Sequence, residues 1–216
     1  MTEARRRRSA TQEKIERLLD ATEEIIIHEG YAAVSSRSAA LKAGIAPPLV
    51  HYYFSTIDDL FIAVLQRYSA PMIQEMQSAL ASTEPLQAWW DIAADPRGAT
   101  LLVELLAAAN HRPALRAEIG KVARDLRRVQ IEALTGLAAE YGLDLDEYPP
   151  ALIAATVQGL AFGLVSDQVS GYETAHDVAA SAVSRLITRL EARRASRLQR
   201  LETAGTSSRT PGDNHI

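Results

Sequence analysis

Apolar side chains recur along this chain at the three-to-four-residue step of α-helices. Ile15, Leu18, Leu19, Ile25 and Ile26 make one stripe, which predicts a first helix from about Gln12 to His28. Thr22 lies within the stripe and Ala21 borders it; both are small enough for a close helix crossing. Ser9 with Gln12 has the spacing of a capping box, and Gly30 stops the helix. A second helix is expected from Ser36 to Ala43, with Ser35 and Ser36 as cap hydroxyls and Ala39, Ala40 and Ala43 as its small face. Gly44 ends it, because a left-handed residue there costs glycine no Cβ clash. Ile45, Val50 and Tyr53 form the apolar side of a third helix, with Pro47 as N-cap and Pro48 as the first helical residue.

The same step continues to the end of the chain. Capping boxes at Ser55 with Asp58 and at Thr56 with Asp59 open a fourth helix carrying Leu60, Val64, Leu65 and Tyr68. Pro71 should kink or break it before it resumes from Met72 to about Leu80. Pro85–Ala93 is a short helix with Trp89 and Trp90, Asp95–Gly98 a turn, and Thr100–His111 an apolar helix. Pro113 opens a long helix to about Tyr141, with a charged face at Arg116, Glu118, Lys121, Arg124 and Arg127. After Gly142 and an acidic loop, Pro149-Pro150 starts a helix to about Gly171. From Ala151 to Val165 this helix is apolar or small nearly all round, so it should be buried on every face. It is too short, and too polar at Thr156 and Gln158, for a membrane span. Thr174 with Asp177 caps a last helix through about Leu201, with Val178, Val183, Leu186, Ile187 and Leu190 on its apolar side. The class is all-α, with about nine helices.

Composition narrows the chemistry. A hydrophobic share of 47% over 216 residues gives enough apolar surface for a sizeable core. With no cysteine there is neither a disulfide framework nor a thiolate metal site, which fits a reducing cytoplasm. The net charge of −4 makes the chain no polycation, so contact with nucleic acid must come from local basic groups. Arg5, Arg6, Arg7 and Arg8 are such a group, and no apolar signal core follows them. His28, His51, His111, His176 and His215 are scattered without an i, i+4 pair, and there is no glycine-rich phosphate loop. No catalytic residue, metal ligand or cofactor is expected.

Two short helices around Gly44 have the form of a helix-turn-helix, whose second helix enters the DNA major groove. Taken alone, the pattern fits an ordinary helical hairpin equally well. The flanks decide it. The stripe of Ile15, Leu18, Ala21 and Ile25, then Glu29-Gly30-Tyr31, Ser36-Arg37, Ala40, Ala43-Gly44-Ile45, Tyr52-Tyr53-Phe54 and Asp58-Asp59-Leu60 together resemble the tetracycline-repressor (TetR) family of bacterial regulators. The resemblance covers the first third of the chain.

It implies a basic arm over residues 1–10, a three-helix helix-turn-helix domain over 11–55, a connecting helix over 56–70, a ligand-binding and dimerisation domain over 71–202 and a disordered tail over 203–216. It implies DNA contacts from Arg5 to Arg8, Ser36, Arg37, Ala46, Pro47, Pro48, Leu49, His51 and Tyr52. Relatives carry hydroxyls at the positions of Ala46 and Leu49 and a lysine at that of Ile57, so this chain lacks several phosphate contacts. The last two helices should pair two subunits through Ala154, Ala155, Gly159, Ala161, Gly163, Val183, Leu186 and Leu190. Trp89, Trp90, Leu105 and Phe162 are candidate walls of a ligand site, with Asn110, His111 and Gln158 as polar anchors.

The expected partners are double-stranded operator DNA, a small-molecule effector and a second copy, with no membrane. The expected function is a one-component cytoplasmic repressor, released from a palindromic operator by its effector. An all-α enzyme and a helical structural or interaction protein without DNA binding are the rivals.

Overall fold

A computed structural model describes the chain from Glu3 to Tyr172 and from His176 to Ser207. Among these residues there are nine α-helices and one 3-10 turn, in the order α1 (Glu3–Glu29), the turn Tyr31–Ala33, α2 (Ser36–Ala43), α3 (Pro47–Tyr53), α4 (Ile57–Leu80), α5 (Pro85–Ala93), α6 (Pro96–Ala109), α7 (Pro113–Tyr141), α8 (Pro150–Ser170) and α9 (His176–Ser207). The fold is all-α. The chain forms two compact units: one takes residues up to Gln74 together with Asp95–Leu126, the other Glu75–Ala94 and the chain from Arg127 on. This division differs from a boundary at residue 71, because α6 and the first part of α7 belong to the first unit.

Several helix ends differ from the sequence reading. α1 begins at Glu3, not near Gln12, so Ser9 and Gln12 lie inside the helix and make no capping box. The arginines of the expected arm continue its backbone helix, as residues of good helix propensity do. α3 has Ala46 as N-cap and Pro47 as its first residue, one position earlier than expected. α4 runs unbroken through Pro71. Asp95–Gly98 is no free turn: Asp95 caps α6, accepting from the Gly98 amide at 2.8 Å, with Pro96 at the first position. α9 continues to Ser207, so residues 203–207 of the expected tail are helical. The Thr174–Asp177 box and residues 208–216 lie outside the described residues.

The first unit closes a continuous core. Leu18, Ile25 and Ile26 of α1, Ala39, Ala40 and Val50 of α2 and α3, and Leu60, Phe61 and Val64 of α4 meet Leu101, Leu105 and Ala108 of α6 and Leu115 of α7. Polar links tie its elements. Arg67 bonds Asp20 and, at 2.6 Å, Glu23; Arg97 reaches Glu23 and Glu24, each at 2.7 Å. Burial opposes the Arg67 charge, but the two carboxylates outweigh it and raise its pKa. The bond from Arg97 holds the Glu24 carboxyl below its ordinary range. The Glu104 carboxylate of α6 accepts from the Tyr31 amide at 2.8 Å, next to Gly30 at φ +83°.

The second unit is built around a buried carboxylate. Glu191 of α9 accepts from the Leu86 and Gln87 amides at 2.7 and 3.3 Å, which satisfies the start of α5, and from the Tyr141 hydroxyl at 2.8 Å. Arg194 reaches Glu140 and the Thr83 carbonyl and lies over the Tyr141 ring. Burial, and then the Glu191 carboxylate, push the Tyr141 hydroxyl far above its ordinary pKa.

α8 departs most from expectation. Within one chain it is not buried on every face: Ala154, Ala161 and Val165 are buried, while Leu152, Leu160 and Phe162 are 53%, 45% and 47% exposed. The stretch Pro150–Gln168 is also long and apolar enough, by length and composition, to cross a membrane, which its length as well as Thr156 and Gln158 were expected to prevent.

Candidate nucleic-acid interface

The α2–α3 pair is set by local chemistry. Ser35 caps α2 in a reciprocal box with Ser38: its hydroxyl accepts from the Ser38 amide at 3.0 Å, and its amide donates to the Ser38 hydroxyl at 2.9 Å. Gly44, at φ 64°, ends α2 in the left-handed conformation that turns the chain. Ala39, Ala40 and Ala43 are buried and let neighbouring helices approach; Val50 holds α3 to the core. Tyr53 packs on the core and stands edge-on to Tyr52, with ring centres 5.3 Å apart.

This packing leaves one bare face. Arg37 of α2 is exposed, as are Ala46, Pro47, Pro48, His51 and Tyr52; Ser36 and Leu49 are half-buried. Most of the contact residues expected on α2 and α3 are therefore exposed. Sequence reading missed Leu41, 81% exposed and next to Lys42 on α2. An apolar residue one step off the buried alanines is the signal for it. Pro47 and Pro48 have no N–H, so the first turn of α3 offers no amide donors from these two positions. The side chains of Arg5 to Arg8 are not among those described.

The residues expected in a ligand site fall in both units. Leu105 is fully buried in the core of the first unit, while Asn110 and His111 are exposed at the end of α6. Trp89, Trp90, Gln158 and Phe162 belong to the second unit; Trp89 is fully buried and Phe162 half-exposed. Of the expected pairing residues, Ala154 and Ala161 are buried within the chain, whereas Ala155, Gly159, Gly163 and Leu186 are exposed and Val183 and Leu190 are half-buried.

An exposed helix-turn-helix on an all-α scaffold fits a DNA-reading protein. The comparisons agree. The profile of the bacterial regulatory proteins of the tetR family matches residues 18–64. An uncharacterized HTH-type transcriptional regulator in the dhlA 5' region of Xanthobacter autotrophicus is 30% identical over 169 residues, covering 74% of this chain and 77% of that protein. The HTH-type transcriptional activator FasR of Mycolicibacterium smegmatis is 33% identical over 66 residues, and the chain spans only 30% of FasR. FadR from Bacillus subtilis in complex with stearoyl-CoA superposes with a TM-score of 0.63 at 19% identity, covering 82% of this chain and 96% of that one. The chain belongs to the tetR family of bacterial transcriptional regulators.

Proposed function

We propose that this regulator binds a palindromic operator as a homodimer, represses by occupying it, and is released by a small-molecule effector. The bare face of α2 and α3 carries the DNA part of this reading. His51 has both ring nitrogens available for a base edge, and Tyr52, Pro47 and Pro48 suit apolar contact with thymine methyls. Arg37 and the arginines at 5 to 8 supply phosphate contact, which matters because α3 starts with two residues lacking N–H.

The exposed apolar face of α8 supports pairing with a second copy through Ala155, Gly159, Gly163 and Leu186. Small residues along it allow close helix approach. That occupant suits a DNA reader better than lipid does, since two-fold symmetry matches a palindrome. The effector shifts the dimer toward an arrangement whose two α3 helices no longer match successive grooves, at a coupling of about 1–3 kcal/mol. Binding of stearoyl-CoA by FadR supports a small-molecule effector in principle. We read the protein as cytoplasmic and non-catalytic.

Selection of duplexes from a random pool by the purified full chain tests this. Enrichment of an inverted repeat, lost for His51→Ala and weakened for all sequences alike by Arg37→Ala, is the expected result. No enrichment, or enrichment of single unrepeated sites, would overturn the reading.

A further inference from the structure

Five buried side-chain nitrogen or oxygen atoms have no hydrogen-bond partner among the described residues: Ser82 Oγ, Trp89 Nε1, Arg127 Nη1, Gln130 Nε2 and His176 Nδ1. All five belong to the second unit. Native interiors leave few such groups, and each asks for an explanation. Here three of the five are N–H donors: an indole, a guanidinium and an amide nitrogen. Trp89 and Gln130 are each only 1% exposed.

Two of the donors come from one helix. Arg127 and Gln130 are three residues apart on α7 and so share one face of that helix. That face continues into the buried Leu134 and Ala138. Arg127 was expected on the charged outer face of this helix, yet its Nη1 is shielded and has no acceptor. A water accepting from both donors would still have two protons of its own to place. An anion has none, and a carboxylate presents two oxygens that accept in parallel from a guanidinium and a neighbouring amide. The buried residues of this unit include Val129, Leu134, Ala154 and Ala161, which are apolar, and Glu191, whose carboxylate is already taken up by the Leu86 and Gln87 amides and the Tyr141 hydroxyl.

We propose that Arg127 and Gln130 anchor the effector, and that the effector is an organic monocarboxylate with an apolar body. This rests on the effector-released regulator described above, and it adds the chemical class. The Trp89 indole is a third donor in the same unit, suited to a further acceptor on the ligand.

The test is thermal unfolding of the full chain without DNA, so its outcome is independent of operator binding. The probes are octanoate, dodecanoate, benzoate and phenylacetate, each at millimolar concentration beside the alcohol and the amine of the same body. At least one carboxylate should raise the midpoint by several degrees where its alcohol and amine do not. Arg127→Met should remove that shift. Gln130→Glu supplies an anion in place at the Arg127 guanidinium; it should raise the midpoint of the free protein and abolish the response to the same carboxylate. Gln130→Leu should likewise leave the free protein at least as stable, because it removes an unpaired donor. If no carboxylate exceeds its alcohol, or if Gln130→Glu and Gln130→Leu both lower the midpoint of the free protein, the proposal fails. Operator selection remains a separate measurement, and its failure would instead sink the regulator reading.

Discussion

The two units differ in what each leaves unfinished. In the first, one core joins α1 to α4, α6 and the start of α7, and no buried side-chain nitrogen or oxygen among the described residues lacks a partner. In the second, five such atoms are unpartnered, and α8 turns Leu152, Leu160 and Phe162 to solvent. Apolar surface and buried donors are both costly when left uncovered. On the proposals above, a second copy covers α8 and a small acid meets the donors of α7. The reading head needs neither for its fold.

The largest expected effect is in the finished unit. Phe61 is fully buried and carries the Arg112 guanidinium 4.9 Å from its ring centre. Phe61→Ala should cost about 3–5 kcal/mol, read as a fall in the urea midpoint followed through the first unit. Next comes Glu191→Ala, which strips the acceptor from the Leu86 and Gln87 amides and the Tyr141 hydroxyl. These three bonds are only part-buried, so water can replace much of the lost acceptor and the cost should be about 1–3 kcal/mol in all. Hydrogen exchange should show α5 opening first, with the amides of α1 to α3 still protected. Loss of protection in α1 to α3 at the same step would break the distinction between the units.

Gly159→Arg sharpens it differently. Gly159 is exposed and a Cβ there meets nothing within 4 Å, so the fold of a single chain should tolerate the change with less than about 0.5 kcal/mol lost. The dimer should dissociate, because the new charge is buried unpaired against a partner. A wild-type mass already monomeric at micromolar concentration would remove the second copy from the picture.

The smallest effect appears only in alkali. Tyr141 keeps its proton in the folded state well above its ordinary pKa of 10.0, while the unfolded chain loses it near that value. The unfolded state then binds fewer protons, so stability is fully present below about pH 10 and falls as pH rises beyond it. Tyr141→Phe should flatten that part of the profile of urea midpoint against pH. An equally steep profile in the variant would assign the alkaline loss to other groups.

Much of this was legible because it is local. Ser35, Gly44 and the small face of α2 act within a few residues, and each does what its chemistry requires. α5 and α7 were readable end to end from a proline start and, for α7, a glycine stop. Errors came where two local signals compete. Asp95-Pro96-Arg97-Gly98 suits a turn as well as a helix start, and Gly98 is there for a distant reason: a Cβ would collide with the Tyr68 hydroxyl.

Ligand contacts are harder to read from sequence, for a deeper cause. Apolar pattern says that Leu105 is buried and not against what, and its partners turned out to be the first-unit core. Gln130 was readable in principle, as the one polar member of the four-residue step Leu126, Gln130, Leu134, Ala138. Arg127 was not, since nothing nearby in sequence distinguishes a shielded arginine from a solvated one.

The most direct measurement counts chains on DNA. Native mass of the complex with the selected duplex should show two chains, or an even multiple of two, on an inverted repeat whose half-sites lie about one helical turn apart. Scrambling one half-site should then lower affinity steeply and leave no stable one-chain complex. A single chain bound per duplex, with affinity unchanged after one half-site is scrambled, would contradict the paired reading head.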